Sequence, residues 1–374
     1  MNNPQPHSAM VIDAETPGIS RCLCAIEQVL KHGGAQIHPG LCIVERGGHF
    51  TIYCTTTDIT AGQHLFHLPL ALLIPVDGIQ WADSQQTLAL AATPDHLSTV
   101  QRQLLDLHIE LYNLTKKLEW AVHNHPQIAL QSAPHLLSML SLIQPDFTGT
   151  PAKVADVFLQ TRVFHLTVAS DADAGKNVLM PLIELLNHHP KGAAFQVGNG
   201  ALFMAVKQPM GQTECFARYG GHRDALDLAL HYGYADLNTP FAHSAPVKVT
   251  VRGLAHIRVQ GLRMKAAHAL TPPRITLEEG GVVLSHLVCD RQHPQRLNAV
   301  LHLVVQLLTR RYGLPAQAEK DVQQELRTAL YQANAILLAD LHAAATALAS
   351  TLPAAALVMQ AIRQQARIME ETMV

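Results

Sequence analysis

Val-Leu-Met-Pro-Leu-Ile-Glu-Leu-Leu-Asn-His-His-Pro, residues 178–190, and Tyr-Gly-Gly-His-Arg-Asp-Ala-Leu-Asp-Leu-Ala-Leu-His-Tyr-Gly-Tyr, residues 219–234, carry the reading of this chain. The first is an apolar run that presents Asn187 and His188 side by side. The second links Tyr219 to Tyr232 through a helix-like segment that buries Leu226, Leu228 and Leu230. Polar side chains mounted on apolar elements must be hydrogen bonded internally or used on a ligand. Taken alone, Asn187 also fits a capping residue at an element end before Pro190, and each tyrosine fits a core residue whose hydroxyl is satisfied by backbone.

Outward from that stretch, strand-like pieces at 195–197, 202–206 and 214–219 lie between the two quoted segments. Upstream, residues 81–164 read as helical, with an apolar stripe through Leu104, Leu107, Ile109, Leu111, Leu114 and Leu118 and prolines at the breaks. Before them, residues 19–31 show helical spacing that stops at Gly33-Gly34. Strand-like pieces follow at 41–45, 50–57 and 64–68, with glycines at the bends. Downstream, 247–251 and 255–259 are strand-like, and 297–312, 317–348 and 353–373 carry helical stripes. A β region interrupted by helices and then resumed implies one discontinuous domain with a helical C-terminal domain behind it.

The composition bounds the function. At 374 residues with 48% apolar residues, the chain has material for two or three cores. A formal charge of −2, with acids and bases interspersed, provides no electrostatic footprint for nucleic acid or an anionic membrane. The apolar stretch 343–362 is interrupted by polar residues and Pro353, so it reads as soluble helix. The start of the chain lacks a basic region followed by an apolar one, which makes a cytoplasmic location the expectation. Six scattered cysteines read as reduced thiols rather than a disulfide framework. The 23 histidines invite a metal, yet His123-Asn-His125 and His188-His189 lack the partner spacing of a zinc site, so no metal is expected.

Several motifs in order resemble one family: Leu-Leu-Asn-His (185–188), Ala-Arg-Tyr-Gly (217–220), Leu-His-Tyr-Gly-Tyr (230–234) and Gln-Thr-Arg-Val-Phe (160–164). To these add Thr-Asp-Ile-Thr-Ala-Gly-Gln (57–63), Leu-Pro-Leu-Ala-Leu-Leu-Ile (68–74), and the spacing of Pro181, Glu184, Asn187 and His188. Together they resemble the SET domain, in the branch of the Rubisco large-subunit lysine methyltransferase. The resemblance implies an α+β fold, with a SET-type β domain in two parts (19–80 and 165–240), a helical insertion (81–164), and a mainly α-helical C-terminal domain (241–374) for a substrate or partner. It implies S-adenosylmethionine as cofactor, held by Asn187 and His188, and a protein or peptide substrate bearing a lysine, approached by Arg162 and Glu184. Tyr232 is implied as the catalytic hydroxyl and Tyr219 as a shaper of the lysine channel.

Where the family carries a Gly-x-Gly turn, this chain has Phe50 and Ile52, and a β-branched residue does not supply a positive φ. Gly47 and Gly48, a few residues upstream, are the candidates to approach the cofactor instead. Ala225 stands where relatives often have Asn, and the zinc-binding cysteines of the histone-directed branch are missing. Three functions follow: a lysine methyltransferase with an altered cofactor pocket, a SET-like module that binds a peptide or partner without methyl transfer, and a SET fold turned to a small-molecule amine or to other chemistry on S-adenosylmethionine.

Overall fold

The computed structural model describes residues 10–56, 59–84, 86–144, 147, 153–167, 175–206, 211–219, 223–253, 255–262, 272–313 and 315–374. Thr57, Asp58, Pro145, Pro151, Gly220, Gly221 and His222, and most of the 262–274 boundary, lie outside the described residues. The chain is α+β and forms two compact units: residues 1–122 with 153–219, and residues 123–152 with 220–374. The stretch expected as one insertion, 81–164, is therefore divided, its middle belonging to the second unit. Helical periodicity reveals an apolar face without saying which core it faces.

In the first unit, helix Pro17–His32 starts with proline in its first turn and ends on Lys31 and His32, and it buries Ile19, Leu23, Ile26 and Leu30 along one face. Strand Leu41–Arg46 runs between Val11–Ala14, its parallel neighbour, and His49–Cys54, its antiparallel one. Val11–Ala14 lies ahead of the expected domain start at residue 19. Nothing in its short polar-flanked sequence announces a strand. A second sheet orders Phe195–Gly198, Ala201–Ala205, His64–Pro69 and Gln36–Ile37. A third sets Lys176–Leu179 between Ile74–Pro75 and Val163–Leu166. Helix Thr99–Leu114 opens with a capping box in which Ser98 and Gln101 satisfy each other's backbone N–H, and it buries Leu104, His108, Leu111 and Tyr112.

In the second unit, Val247–Val251 pairs antiparallel with Ala255–Val259, which pairs in parallel with Gly281–Leu284 and through it with Ile275–Glu278. Val247, Val249 and Val251 point into the core while Lys248 and Thr250 face solvent, the period-two pattern of a half-buried strand. Among the described residues, six strands between Phe241 and Asp290 thus lie within the region expected to be mainly helical. Helices Gln295–Tyr312, Glu319–Leu348 and Pro353–Met373 follow and close a core that includes Leu301, Val305, Leu326, Leu330, Leu341 and Ile362. Full burial of each such side chain stabilises by about 1.5–3 kcal/mol. Among the described residues, no helix is long and apolar enough to cross a membrane.

Candidate functional site

The apolar run 178–190 does not end in a cap. Strand Lys176–Leu179 leads into a 3-10 turn, Ile183–Leu185, and then into strand Asn187–Ala193. Leu182, before the turn, is fully buried and has φ 66°, a conformation that bulky side chains rarely adopt and that costs about 1–3 kcal/mol. Burial of Leu182, Ile183 and Leu186 holds the kink in place, and the kink aims Asn187. The Asn187 amide donates to the Phe50 carbonyl at 3.2 Å and to Glu214 Oε1 at 2.8 Å.

The segment ending at Tyr219 runs between two strands of this unit. Cys54 N–H donates to Thr213 O at 2.9 Å and Cys215 N–H to Ile52 O at 2.7 Å, which ties it to His49–Cys54. On its other side Phe216 pairs in parallel with Asn187, but the next residue, Ala217, pairs with Ala193, so the intervening strand bows outward. Arg218 N–H donates to Ala193 O at 2.9 Å. Gly192 allows this close passage, because a Cβ there would lie 2.6 Å from Ala217 backbone carbon and oxygen. Tyr219 then turns back: its N–H donates to His188 Nδ1 at 2.8 Å and its hydroxyl donates to the Leu186 carbonyl. Asn187, His188 and Tyr219 are thereby joined in one hydrogen-bonded loop.

Gly47 and Gly48 form the two-residue turn between Leu41–Arg46 and His49–Cys54, both with positive φ, the type of hairpin that glycine permits. Their amides are already engaged. Gly47 N–H donates to Glu15 Oε2 at 3.2 Å, and Gly48 N–H to buried Glu45 Oε1 at 2.6 Å. In this conformation the two amides close the hairpin onto the chain's own carboxylates. Ile52 is fully buried and pairs with Ile43, so it is a core residue and not a turn.

Glu184 lies in the 3-10 turn that precedes Asn187. Its side chain is sealed from solvent, with His108 Nε2 at 3.0 Å and the Tyr112 hydroxyl donating at 3.3 Å to Oε1. His108 Nδ1 lies 2.6 Å from the Leu104 carbonyl, an acceptor only, so Nδ1 carries a proton. Burial first, then the adjacent Glu184, pushes the Tyr112 phenol well above its ordinary pKa. Glu184 is a buried acceptor within the turn before Asn187. Arg162 lies over the Phe158 ring at 4.0 Å and at 5.3 Å from the Tyr112 ring centre, so it borders the same cluster.

Tyr232 is the last residue of helix Ala225–Tyr232, in the second unit, whereas Tyr219 closes the first. Asp224 caps that helix through Asp227 N–H at 2.7 Å, and Gly233, in the left-handed region at φ 74°, ends it. The acid beside Ala225 is therefore the buried cap of the tyrosine's helix. Asp224 also accepts from His243 Nδ1 at 2.9 Å, while Gln144 donates to Asp227 Oδ1 at 2.6 Å and Gln365 to the His243 carbonyl at 2.7 Å. The donor atoms of Asp224, Asp227 and His243 lie within 4.8 Å of one another, a grouping that could hold an ion and that spacing along the chain does not reveal. The hydrogen bonds already made by these atoms mark a buttress for the helix.

Two solved structures resemble the whole chain. A structure of Rubisco LSMT bound to AdoMet covers 95% of this chain and 92% of its own, at 13% identity and a TM-score of 0.39. The crystal structure of the SET domain of LSMT bound to MeLysine and AdoHcy covers 96% and 90%, at 12% identity and the same TM-score, 0.39. The chain is similar to SET-domain structures. No protein-family model matches it, and no curated protein does. The likeness assigns no residue a role, so roles rest on the geometry.

Glu214, His108 and Tyr112, which hold Asn187 and Glu184, were not among the expected site residues. Each is one acid, imidazole or phenol in an ordinary pattern, and its distance in sequence from its partner hides it.

Proposed function

We propose that this protein is an S-adenosylmethionine-dependent protein-lysine N-methyltransferase of SET type. The observation that carries the reading is the loop in which Tyr219 bonds both His188 and the Leu186 carbonyl while Asn187 grips Phe50 and Glu214. It makes the Asn-His motif and the first tyrosine one structural unit.

In this reading Asn187 and His188 face the cofactor, which when bound supplies a methyl group on a sulfonium. Methyl transfer is an in-line displacement, so the residues must hold amine nitrogen, methyl carbon and sulfur collinear. The lysine must arrive neutral. An apolar channel disfavours its ammonium form, and the proton leaves to solvent. Tyr219 shapes the lysine channel, where hydroxyl and carbonyl oxygens stabilise the passing methyl through weak C–H···O contacts, and Tyr232 is the proposed catalytic hydroxyl. Arg162 and the helical C-terminal region serve the protein or peptide that carries the lysine.

Calorimetric titration with S-adenosylmethionine tests the cofactor. Absence of heat with well-folded protein ends this reading. Tyr232→Phe is expected to abolish turnover, measured by methyl incorporation into lysine peptides, while circular dichroism stays that of the parent. Full activity in that variant removes Tyr232 from the mechanism.

The closed hairpin favours a second reading, a SET-like module without methyl transfer. Its amides bind the chain's own carboxylates, and a cleft of about 470 Å³ between the last two helices, lined by Tyr331, Leu338, His342, Ile362, Arg363 and Arg367, would serve a peptide. Cofactor binding separates the two readings, and it leaves open a small-molecule amine as acceptor.

A further inference from the structure

Helices Glu319–Leu348 and Pro353–Met373 of the second unit leave a cleft of about 470 Å³ between them. Ala335 and Ala339 line it from one helix and Ala366 from the other, and side chains this small cannot fill an interhelical groove. Buried Leu338, Ile362 and Met369 form its apolar floor.

Its rim holds two arginines in different states. Arg367 Nε donates to Glu371 Oε1 at 2.8 Å, so that charge is matched. Arg363 Nε donates instead to His342 Nε2 at 2.9 Å. A guanidinium accepts nothing, so Nε2 presents its lone pair and the imidazole is neutral, with its proton on Nδ1, which faces Thr346 Oγ1 at 3.5 Å. A neutral ring orients the guanidinium without cancelling its charge. Among the described residues, Arg363 has no carboxylate within ion-pair distance and its terminal N–H groups meet no acceptor. A carboxylate completes such a fork with two parallel hydrogen bonds. Glu370 also lines the cleft, seven positions along the same helix from Arg363, hence on the same face and about 10.5 Å along the axis. Its carboxylate only accepts. An apolar floor thus lies with a donor fork towards one end and an acceptor towards the other. Three residues of extended chain span about 10 Å, which matches the separation of the two.

We propose that this cleft receives the C-terminal end of a polypeptide. The terminal carboxylate meets the Arg363 fork, the last side chain, an apolar one, rests on Leu338, Ile362 and Met369, and a backbone N–H two or three residues back donates to Glu370. The inference rests on the second reading for its peptide and names the part of the peptide that is bound. An apolar acyl acid shares the carboxylate and the apolar body, but it brings no N–H to Glu370.

Five fluorescein-labelled pentapeptides, four alanines followed by leucine, isoleucine, valine, phenylalanine or methionine, are titrated with the full chain and read by fluorescence anisotropy. Each is used with a free C-terminal carboxylate and as its amide. At least one free acid is expected to bind, with its amide about tenfold weaker, as expected for losing a charge-assisted pair. Arg363→Gln should bring the acid down to the level of the amide and leave the amide unchanged, and Glu370→Ala should weaken the acid severalfold. Arg363→Lys keeps the charge without the fork and should recover only part of the affinity, which separates recognition from a loss of folding. Binding of none of the acids, or equal binding of acid and amide, overturns the site. Octanoate that displaces the peptide as well as unlabelled peptide does assigns the cleft to an acyl acid and overturns the chain end. The titration is repeated with S-adenosylmethionine. Methyl transfer together with peptide binding leaves the cleft standing and removes the second reading, whereas absence of peptide binding in a chain that binds no cofactor overturns the cleft alone.

Discussion

Strand Asn187–Ala193 and the Gly47-Gly48 hairpin both belong to the first unit, and both were expected to meet the cofactor. They solve opposite problems. The chain leading into the strand is kinked at Leu182, the strand is crowded at Gly192, and its Asn187 and His188 side chains bind other segments. The hairpin is locally regular, and its amides turn inward to Glu15 and Glu45. Strain and close passage concentrate at the Asn-His segment, and ordinary turn chemistry prevails at the glycine pair. A polar loop built with stored strain is worth retaining only if something uses it.

The contrast can be broken by a pair of substitutions. Gly192→Ala puts a Cβ at 2.6 Å from Ala217 backbone, which no rotamer change relieves. Its expected cost is about 4 kcal/mol, measured by urea unfolding, in the range that marks a backbone collision. Gly47→Ala meets nothing within 4 Å and carries mainly the penalty of φ 56°, about 1 kcal/mol. Equal costs would erase the distinction between the two regions.

Glu184→Ala sharpens the comparison from the core side. It leaves His108 and Tyr112 buried without their acceptor, with an expected loss of about 3 kcal/mol. Asn187 should lose its fixed position as the turn relaxes. If cofactor affinity falls no further than unfolding explains, Glu184 acts on stability alone.

The smallest effect concerns Lys117. Its folded pKa, about 8, lies below the ordinary value of 10.5, so the unfolded chain binds more protons between those two pH values. Stability gained from this group therefore rises as pH climbs from about 8 to 10.5, and below 8 its charge is a burden. Lys117→Met should stabilise the protein at pH 7 by about 1 kcal/mol after allowing for solvent screening, with the gain vanishing above pH 10.5. A thermal-melt series over pH for both proteins checks the sign. A gain that grows with pH would contradict it.

Local signals made much of the architecture legible. The 247–251 and 255–259 strands, the three C-terminal helices, and the hairpin strands near 41–54 follow from period-two and helical patterns together with glycine positions. Strands Val11–Ala14 and Ile275–Glu278 escaped because their partners, and not their own composition, make them strands. At the site, the sequence marked Asn187, His188, Tyr219 and Tyr232 as polar groups on apolar scaffolding. It could not show that Glu184 faces inward, because one helical or extended position differs from the next only by what packs against it.

The sequence by itself determined most of the helices and strands and which polar residues stand out from an apolar background, since those depend on neighbours a few positions away. Only the tertiary structure decided that Gly48 serves Glu45, that Glu214 holds Asn187 across 27 positions, and that Tyr219 and Tyr232 belong to different compact units. Hydrogen-bond partners are chosen by proximity in space, and for these groups proximity is set by how distant segments pack.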